Sequence, residues 1–251
     1  MQDTQVGDRL LFFDPEAGLP VGSEQIESMV YDPTEAAWRV SLSGPVGPLS
    51  PGTDKANTTV YNLSRTGNGF VLRYNTFRNS RRFGNLIKSH HGLIEGNHYE
   101  GLSSAAITIH NEPSWPEGLS SERILVRDNV IRRCGFDTSY LGPRKGAIEL
   151  YLHRLPYAPA PWMGQRDIRI LNNEISDWQC KAIAVENGQE IVVAGNRIGS
   201  SARPPDFLTQ TNYGIFVKHS RDVRIKDNLI SDSRPLSEAI HVEDSEEVVV
   251  E

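Results

Sequence analysis

One short pattern recurs along most of the chain and restricts the folds that it can adopt. Residues 181–198 read KAIAVENGQEIVVAGNRI. This stretch predicts two short strands of alternating apolar and polar residues with a tight turn between them. It ends in an Asn with one more apolar residue shortly after it. Related units occupy residues 213–230 and 238–251 and, with insertions or in shorter form, residues 84–99, 105–131 and 146–175. Such alternation indicates strands with one buried face, and a unit this small buries that face only by stacking on its neighbours.

Asparagines mark the period of the repeat. The close pairs Asn75 with Asn97 and Asn173 with Asn196 indicate about 22 residues per unit, and the wider gaps require insertions of roughly 10 to 20 residues. An Asn at the same turn of every unit can hydrogen-bond to the Asn above and below, and it tolerates a left-handed backbone. We therefore predict a ladder; the alternative is a set of ordinary turn residues. Its members are Asn75, Asn97, Asn129, Asn173, Asn196 and Asn228.

The repeat predicts an all-β fold, a right-handed parallel β-helix of the pectate-lyase-like solenoid type, over residues 53–251. Residues 1–52 do not show the repeat. They contain three strand-like runs within residues 6–13, 25–31 and 38–42, followed by a segment rich in Gly and Pro. We predict a small N-terminal antiparallel β-subdomain there, barrel-like, with the first unit of the solenoid at residues 57–77.

Composition narrows the classes of partner. The chain has a net charge of −6, with 38% hydrophobic and 23% charged residues, and its few basic pairs form no patch that would bind nucleic acid. No apolar run is long enough to span a membrane. The two cysteines, Cys134 and Cys180, form neither a disulfide scaffold nor a metal-binding motif, so we expect buried free thiols.

The two ends of the sequence carry their own expectations. The start, MQDTQVGDRLLFF, contains no signal-peptide pattern. The end, EEVVVE, stops just before the next expected ladder Asn, at an uncapped unit that natural solenoids normally cover. We therefore expect this chain to be a piece of a longer protein.

The first strand of each unit is where we predict the functional site. Alignment of these strands gives one inward residue per unit: Leu86, Ile107, Ile148, Ile183, Ile215 and Ile240. The next column then points outward: Ile87, Thr108, Glu149, Ala184, Phe216 and His241. A second outward column follows two residues later: Lys88 or Ser89, His110, Tyr151, Glu186, Lys218 and Glu243. Carboxylates, aromatic rings and histidine along one face predict a groove for an oligo- or polysaccharide.

Two carboxyl groups in these columns suggest hydrolysis. Glu149 and Glu186 fall on adjacent units, with backbone positions roughly 8 Å apart. An inverting glycoside hydrolase uses two carboxyl groups about 6.5–9.5 Å apart. We predict both as catalytic, with His110 as a further general acid or base. The alternatives are solvated surface acids and a hydrogen-bonded structural histidine.

Three insertions that contain Pro leave the repeat near these strands, at residues 111–121, 152–166 and 200–212. Long loops on a rigid scaffold often carry function. The first insertion holds Glu112, Trp115 and Glu117, and Trp115 offers a stacking surface for a sugar. The alternative for Trp115 is a buried ring that caps the core. The predicted substrate-binding residues are Lys88, Glu112, Trp115, Glu117 and Tyr151.

Short motifs within residues 5–131 carry a family resemblance. They are Arg81-Arg82, Gly84, Ile94-Glu95-Gly96-Asn97, Ala106-Ile107 and Trp115-Pro116-Glu117-Gly118. In this order they resemble part of the solenoid of glycoside hydrolase family 110, β-helical α-1,3-galactosidases with a small β-barrel before comparable coils. The resemblance implies an α-galactosidase-like hydrolase or its substrate-groove portion. That family's catalytic Asp-Asp motif has no counterpart here, so the resemblance assigns no catalytic aspartate.

Two other function classes fit the same features. A polysaccharide lyase or epimerase needs a base and a cation or metal beside a uronate carboxylate. Candidates for these roles are Lys88, Lys218, His110 and His153. Glu243-Asp244 with Glu246-Glu247 offer Ca²⁺ ligands or a solvated acidic face. A non-catalytic glycan-binding solenoid needs only the outward side chains. For the hydrolase we expect no cofactor, no metal ligands, and an extracellular or periplasmic location.

Overall fold

The structure is a computed structural model, and it describes residues 3–50, 57–136, 146–199, 213–233, 236 and 238–251. These residues form β-strands and a short 3-10 helix, Leu63–Arg65, and include no α-helix. Across the same residues, no helix has the length and apolar character needed to cross a membrane. The chain divides into two compact units.

The first unit comprises Met1–Asn68, Asn111–Leu119 and His153–Trp162. With strands numbered in chain order, its antiparallel sheet has the order β3-β2-β1-β4: β1 Arg9–Asp14, β2 Leu19–Asp32, β3 Ala37–Leu42 and β4 Thr59–Asn62. Two short strands, β14 His153–Arg154 and β15 Ala158–Pro159, also pair antiparallel. The three N-terminal strands thus lie where the sequence predicted them.

The pairing of strand β4 differs from the prediction. It lies in the segment expected to begin the repeat, yet it pairs antiparallel with β1, from Leu10 opposite Asn62 to Phe13 opposite Thr59. The alternation of a strand reveals its buried face and not the direction of its partner, so the sequence pattern did not separate the two cases. Strand β1 is buried on both faces: Leu11 and Phe13 pack with Tyr61, and Leu10 and Phe12 pack with Ile26.

The second unit comprises Gly69–His110, Ser120–Leu152 and Met163–Glu251, and it is built from three parallel sheets. The first sheet contains β7 Asn85–Ile87, β10 Ile107–His110, β13 Gly146–Tyr151, β18 Lys181–Glu186, β21 Tyr213–Lys218 and β24 Glu238–Glu243. The second contains β5 Val71–Arg73, β8 Gly92–Glu95, β11 Glu122–Arg127, β16 Gln165–Leu171, β19 Gly188–Ala194, β22 Arg221–Lys226 and β25 Glu246–Val250. The third contains β6 Thr76–Arg78, β9 His98–Glu100, β12 Val130–Arg132, β17 Glu174–Ser176, β20 Arg197–Ile198 and β23 Leu229–Ile230.

Neighbouring strands in each parallel sheet follow one another in chain order. Successive strands of the second unit belong to the three sheets in rotation. The fold is therefore nearly all-β with long parallel sheets, an arrangement compatible with a solenoid. Its largest apolar cluster is rich in Ile and Val from all three sheets and includes the fully buried rings of Tyr99 and Trp178.

The predicted Asn ladder is confirmed. The Oδ1 atom of Asn97 accepts from the backbone N–H of Asn75 at 2.9 Å and from its Nδ2 at 3.1 Å. Asn129 bonds to Asn97 in the same way, and the pattern continues through Asn173, Asn196 and Asn228. Asn97, Asn129, Asn173 and Asn196 are buried, so each needs these partners to offset the loss of water.

The left-handed backbone lies one residue earlier than expected. The positive φ belongs to the residue before each ladder Asn: Tyr74, Gly96, Asp128, Asn172, Gly195 and Asp227, with φ of 54°, 63°, 55°, 54°, 66° and 55°. The ladder asparagines are therefore selected by their hydrogen bonds alone. The preceding residue makes the turn that aims each Asn side chain along the stack.

The register of the first parallel sheet agrees with the prediction at five of its strands. Ile107, Ile148, Ile183, Ile215 and Ile240 are paired in succession. The prediction for Leu86 is wrong, because Leu86 pairs with Thr108 and Ile87 pairs with Ile109. A one-residue shift exchanges the two faces of a strand. Ile87 is accordingly buried, and Leu86 is 37% exposed.

Candidate functional site

The first parallel sheet presents a continuous row of outward side chains, which we call the outward row. It consists of Thr108, His110, Glu149, Tyr151, Ala184, Glu186, Phe216, Lys218, His241 and Glu243. These residues alternate with the inward Ile and Val residues because strand side chains point to opposite faces in turn. Parallel pairing then stacks them from strand to strand.

Burial divides the outward row into two parts. From Thr108 to Glu186 the residues are nearly inaccessible, and the relative exposure of the whole residue is only 2% for Glu149 and 6% for Glu186. Lys218, His241 and Glu243 at the other end are partly exposed. The alternative that Glu149 and Glu186 are solvated surface acids is therefore wrong. Buried ionisable groups require partners, and those partners define the site.

Glu149 is placed by a glycine at the start of its strand. Its Oε2 atom accepts a hydrogen bond from the backbone N–H of Gly146 at 3.0 Å. A Cβ atom at position 146 would lie 2.6 Å from the carbonyl oxygen of Ile148, so this close turn requires glycine. Burial raises the pKa of Glu149 to about 7, against the lowering effect of hydrogen bonds from Gly146 and Thr108, and the nearby Glu186 carboxylate raises it further.

Glu186 lies on the neighbouring strand and is paired with a lysine. The register sets Glu149 beside Ala184, so Glu186 is two residues further along β18. The Nζ atom of Lys181 is 3.2 Å from Oε1 of Glu186, and both side chains are buried. The same ammonium lies 3.5 Å from the ring centroid of Phe216, within range of a cation–π interaction. Burial lowers the pKa of Lys181, and the Glu186 carboxylate opposes that shift.

The sequence pattern did not indicate that Lys181 lies beside Glu186 in the candidate site. Lys181 is two residues before Ile183, and this spacing assigns it to the inward column. An unpaired lysine is not expected in that column, because the inward side chains are buried. The chain turns into β18 through Cys180, which has a positive φ of 64°, and the amine reaches the outward residues Glu186 and Phe216. A lysine at an apolar position of a core strand was the available signal, because buried lysines are almost always paired.

His110 is held in an aromatic stack. Its Nδ1 atom lies 2.6 Å from Oγ1 of Thr108, and its ring stacks on Tyr151 with centroids 4.4 Å apart and planes 12° apart. The Phe83 ring also packs against the imidazole in an edge-to-face arrangement, with centroids 5.5 Å apart. Thr108 therefore lies between His110 and Glu149, and its hydroxyl contacts both groups.

The exposed end of the outward row carries a second set of ion pairs. Lys218 contacts Glu243, and His241 lies between Glu238 and Glu243, with nitrogen–oxygen distances of 3.0 and 3.3 Å. The hydrogen bond with Glu238 raises the pKa of His241, and the bond from Lys218 lowers the pKa of Glu243. Tyr213 and Phe216 pack against the His241 ring.

The remaining predicted residues fall in different places. Lys88 directly follows β7 in the second unit and is half-buried. Glu112, Trp115 and Glu117 belong to the first unit, in a loop where Trp115 N–H donates to the Glu112 carbonyl at 2.8 Å. Trp115 is 62% exposed, so it does not cap the core. His153, the other candidate base, is buried, and its backbone N–H donates to Asn111 Oδ1 at 2.7 Å.

Three further expectations concern the cysteines, a metal site and the third insertion. Cys134 and Cys180 are buried and form no disulfide, as predicted, and burial raises the pKa of Cys134 to about 12. Among the residues that the structure describes, no group of three or more His, Cys, Asp or Glu is arranged to hold a metal ion. The insertion at residues 200–212 lies outside the described residues.

Comparison with known proteins adds no family assignment. No protein-family model matches the sequence, and no curated protein matches it.

Proposed function

We propose that the three parallel sheets are the faces of a right-handed parallel β-helix and that the chain is a carbohydrate-active enzyme, a glycoside hydrolase or its substrate-groove portion. The fold proposal is supported by the chain order of the strands in every parallel sheet and by the single ladder of asparagines. The resemblance to α-1,3-galactosidases supports an oligo- or polysaccharide substrate. The proposal includes an extracellular or periplasmic location.

The observation that carries the catalytic proposal is the contrast between two neighbouring carboxyl groups. Burial raises the pKa of Glu149 to about 7, which keeps this group protonated in mildly acidic solution. Glu186 is in contact with the ammonium of Lys181 at 3.2 Å, so it lies beside a cation. Two neighbouring carboxyl groups in such different environments match the acid and base roles of a glycosidase.

In this proposal each residue has a defined task. Glu149 donates a proton to the oxygen of the departing sugar, and Glu186 acts as the carboxylate that activates water. His110 contacts Thr108 at 2.6 Å, and the Thr108 hydroxyl also bonds to Glu149, so His110 is a proton partner for the acid. Tyr151 holds the imidazole plane by stacking. The predictions that Lys88 of the second unit binds sugar, and separately that Glu112, Trp115 and Glu117 of the first unit do so, stay predictions.

The test is turnover of a panel of oligosaccharides that includes α-galactosides. Release of reducing sugar is expected from the wild-type protein, and Glu149→Gln and Glu186→Gln should each reduce it by about 100-fold or more. Glu174→Gln is the matched control. Glu174 is an exposed glutamate that pairs with Arg132, and both residues lie on the third parallel sheet, away from the first sheet that carries the site. Unchanged turnover in both site variants, with the fold intact, would refute the assignment.

A specific observation also favours a polysaccharide lyase as the second candidate. Burial lowers the pKa of Lys181, and a lysine with a lowered pKa is able to act as a base. A lyase creates an unsaturated product that absorbs in the ultraviolet, which a hydrolase does not. Ultraviolet-absorbing product that is lost in Lys181→Met would select the lyase. Glycan binding without any product would select a non-catalytic solenoid.

A further inference from the structure

The buried part of the outward row holds one cation and two carboxyl groups. Lys181 and Glu186 are in direct contact at 3.2 Å, with side-chain exposures of 6% and 8%. Glu149 is buried beside them and interacts electrostatically with both. A buried ion is tolerated when it is paired, and an additional unpaired charge in the same place is costly. With Lys181 charged, the site is neutral when one carboxyl group is ionised and the other is protonated.

The contacts decide which carboxyl group carries the proton. Glu186 is in contact with the ammonium of Lys181. The same ammonium lies 3.5 Å from the centroid of the Phe216 ring, and this second contact helps to hold it in place. Glu149 receives one backbone N–H, from Gly146 at 3.0 Å, and a bond from the Thr108 hydroxyl. Neutral donors stabilise a carboxylate less than an ammonium in contact does. The proton therefore belongs on Glu149.

The other charged and titratable groups around the site have contacts of their own. On β10, Thr108 is neutral and His110 is engaged with it at 2.6 Å. On β21, Lys218 influences Glu186 but is held by Glu243 on β24, and it is also 4.0 Å from Asp244. Cys180, which precedes β18, is a buried thiol. Lys181 is thus the cation in direct contact with Glu186, and it acts on Glu149 electrostatically.

We propose that Lys181 is a positioning residue that keeps Glu186 ionised and thereby leaves a single proton on Glu149. This inference deepens the proposed hydrolase function and rests on it for its catalytic meaning. The protonation pattern itself is a property of the protein without substrate. It can be measured whether or not a substrate is known.

The experiment is infrared difference spectroscopy of the full chain near pH 6, using the carbonyl band of protonated carboxyl groups. Glu149→Gln identifies the part of the band that Glu149 contributes. In Lys181→Met, Glu186 loses its cation and should retain a proton, so the site's protonated-carboxyl signal should rise about two-fold. Lys181→Arg should restore the wild-type signal. Lys226→Met, at an exposed lysine on β22, is the matched control and should change nothing.

A double variant protects the test against misfolding of Lys181→Met. Lys181→Met with Glu186→Met removes both buried charges together, which proteins tolerate better than removal of one. It should fold and keep the Glu149 contribution. A folded Lys181→Met with the wild-type band, or a double variant that has lost the Glu149 contribution, would overturn the proposal.

The same variants separate this inference from the proposed function. If the infrared pattern is as expected and no glycan is turned over, the positioning role stands and the hydrolase proposal fails. If glycans are hydrolysed and Lys181→Met leaves both the infrared band and the pH profile unchanged, the hydrolase stands and the positioning role fails. A shift of the pH profile that Lys181→Arg reverses supports both.

Discussion

Two lysine–glutamate pairs lie on the same sheet and differ mainly in their exposure to water. Lys181 and Glu186 are 6% and 8% exposed, and Lys218 and Glu243 are 36% and 37% exposed. Burial is the dominant influence on Lys181 and lowers its pKa, whereas the hydrogen bond with Glu243 is dominant for Lys218 and raises its pKa. The same chemical pair is therefore a source of perturbed acid–base chemistry at one end and an ordinary ion pair at the other.

The largest expected difference between the two pairs is in stability. Lys181→Met leaves Glu186 without its buried partner and should lower the free energy of unfolding by about 3–5 kcal/mol near neutral pH. Urea denaturation monitored by circular dichroism measures this loss. Replacing Glu186 together with Lys181 should recover most of it. If the double variant is as unstable as the single one, packing of the lysine stem, and not the ion pair, determines the cost.

Glu149 should make the stability of the protein depend on pH in a definite direction. Its folded pKa of about 7 lies above the ordinary value of 4.5, so the folded state binds the proton more tightly than the unfolded state. The resulting stabilisation is complete below about pH 4.5 and is lost as the pH rises through 7, a total of roughly 3 kcal/mol. Denaturation at several pH values should show this slope, and Glu149→Gln should flatten it. An equal slope in Glu149→Gln would contradict the raised pKa.

The ladder allows the same comparison between buried and exposed positions. Asn129 is fully buried, and its loss leaves the Asn97 backbone N–H and side chain and the Ile94 carbonyl without these partners. Asn129→Ala should cost about 2–3 kcal/mol. Asn75 lies at the exposed end of the ladder, so Asn75→Ala should cost less. Thermal or urea unfolding of both variants tests the order, and equal losses would contradict it.

The smallest effect is expected at the exposed pair. Lys218→Met should change the free energy of unfolding by less than about 1 kcal/mol, because water already solvates both partners and salt screens their attraction. The measurement is the one used for Lys181→Met, at low and high salt. A loss comparable to that of Lys181→Met would mean that exposure does not govern these two pairs.

The sequence by itself determined the repeat, the Asn ladder and five of the six aligned inward positions of the first strands. Alternation and a fixed period depend only on the order of the residues. Its errors occurred where two arrangements share one pattern. The segment Leu86-Ile87 reads equally well in either register, and β4 reads equally well with a parallel or an antiparallel partner. Only neighbouring strands decide such cases, since burial depends on what packs against each face.

The site shows the same division more sharply. Glu149, Glu186 and His110 were recognisable from their column, because the residue types and the strand period are local. Their burial, the raised pKa of Glu149 and the contact of Lys181 with Glu186 were decided by the tertiary structure. The physical reason is that a pKa depends on the water and charges around a group, and these come from strands distant in sequence.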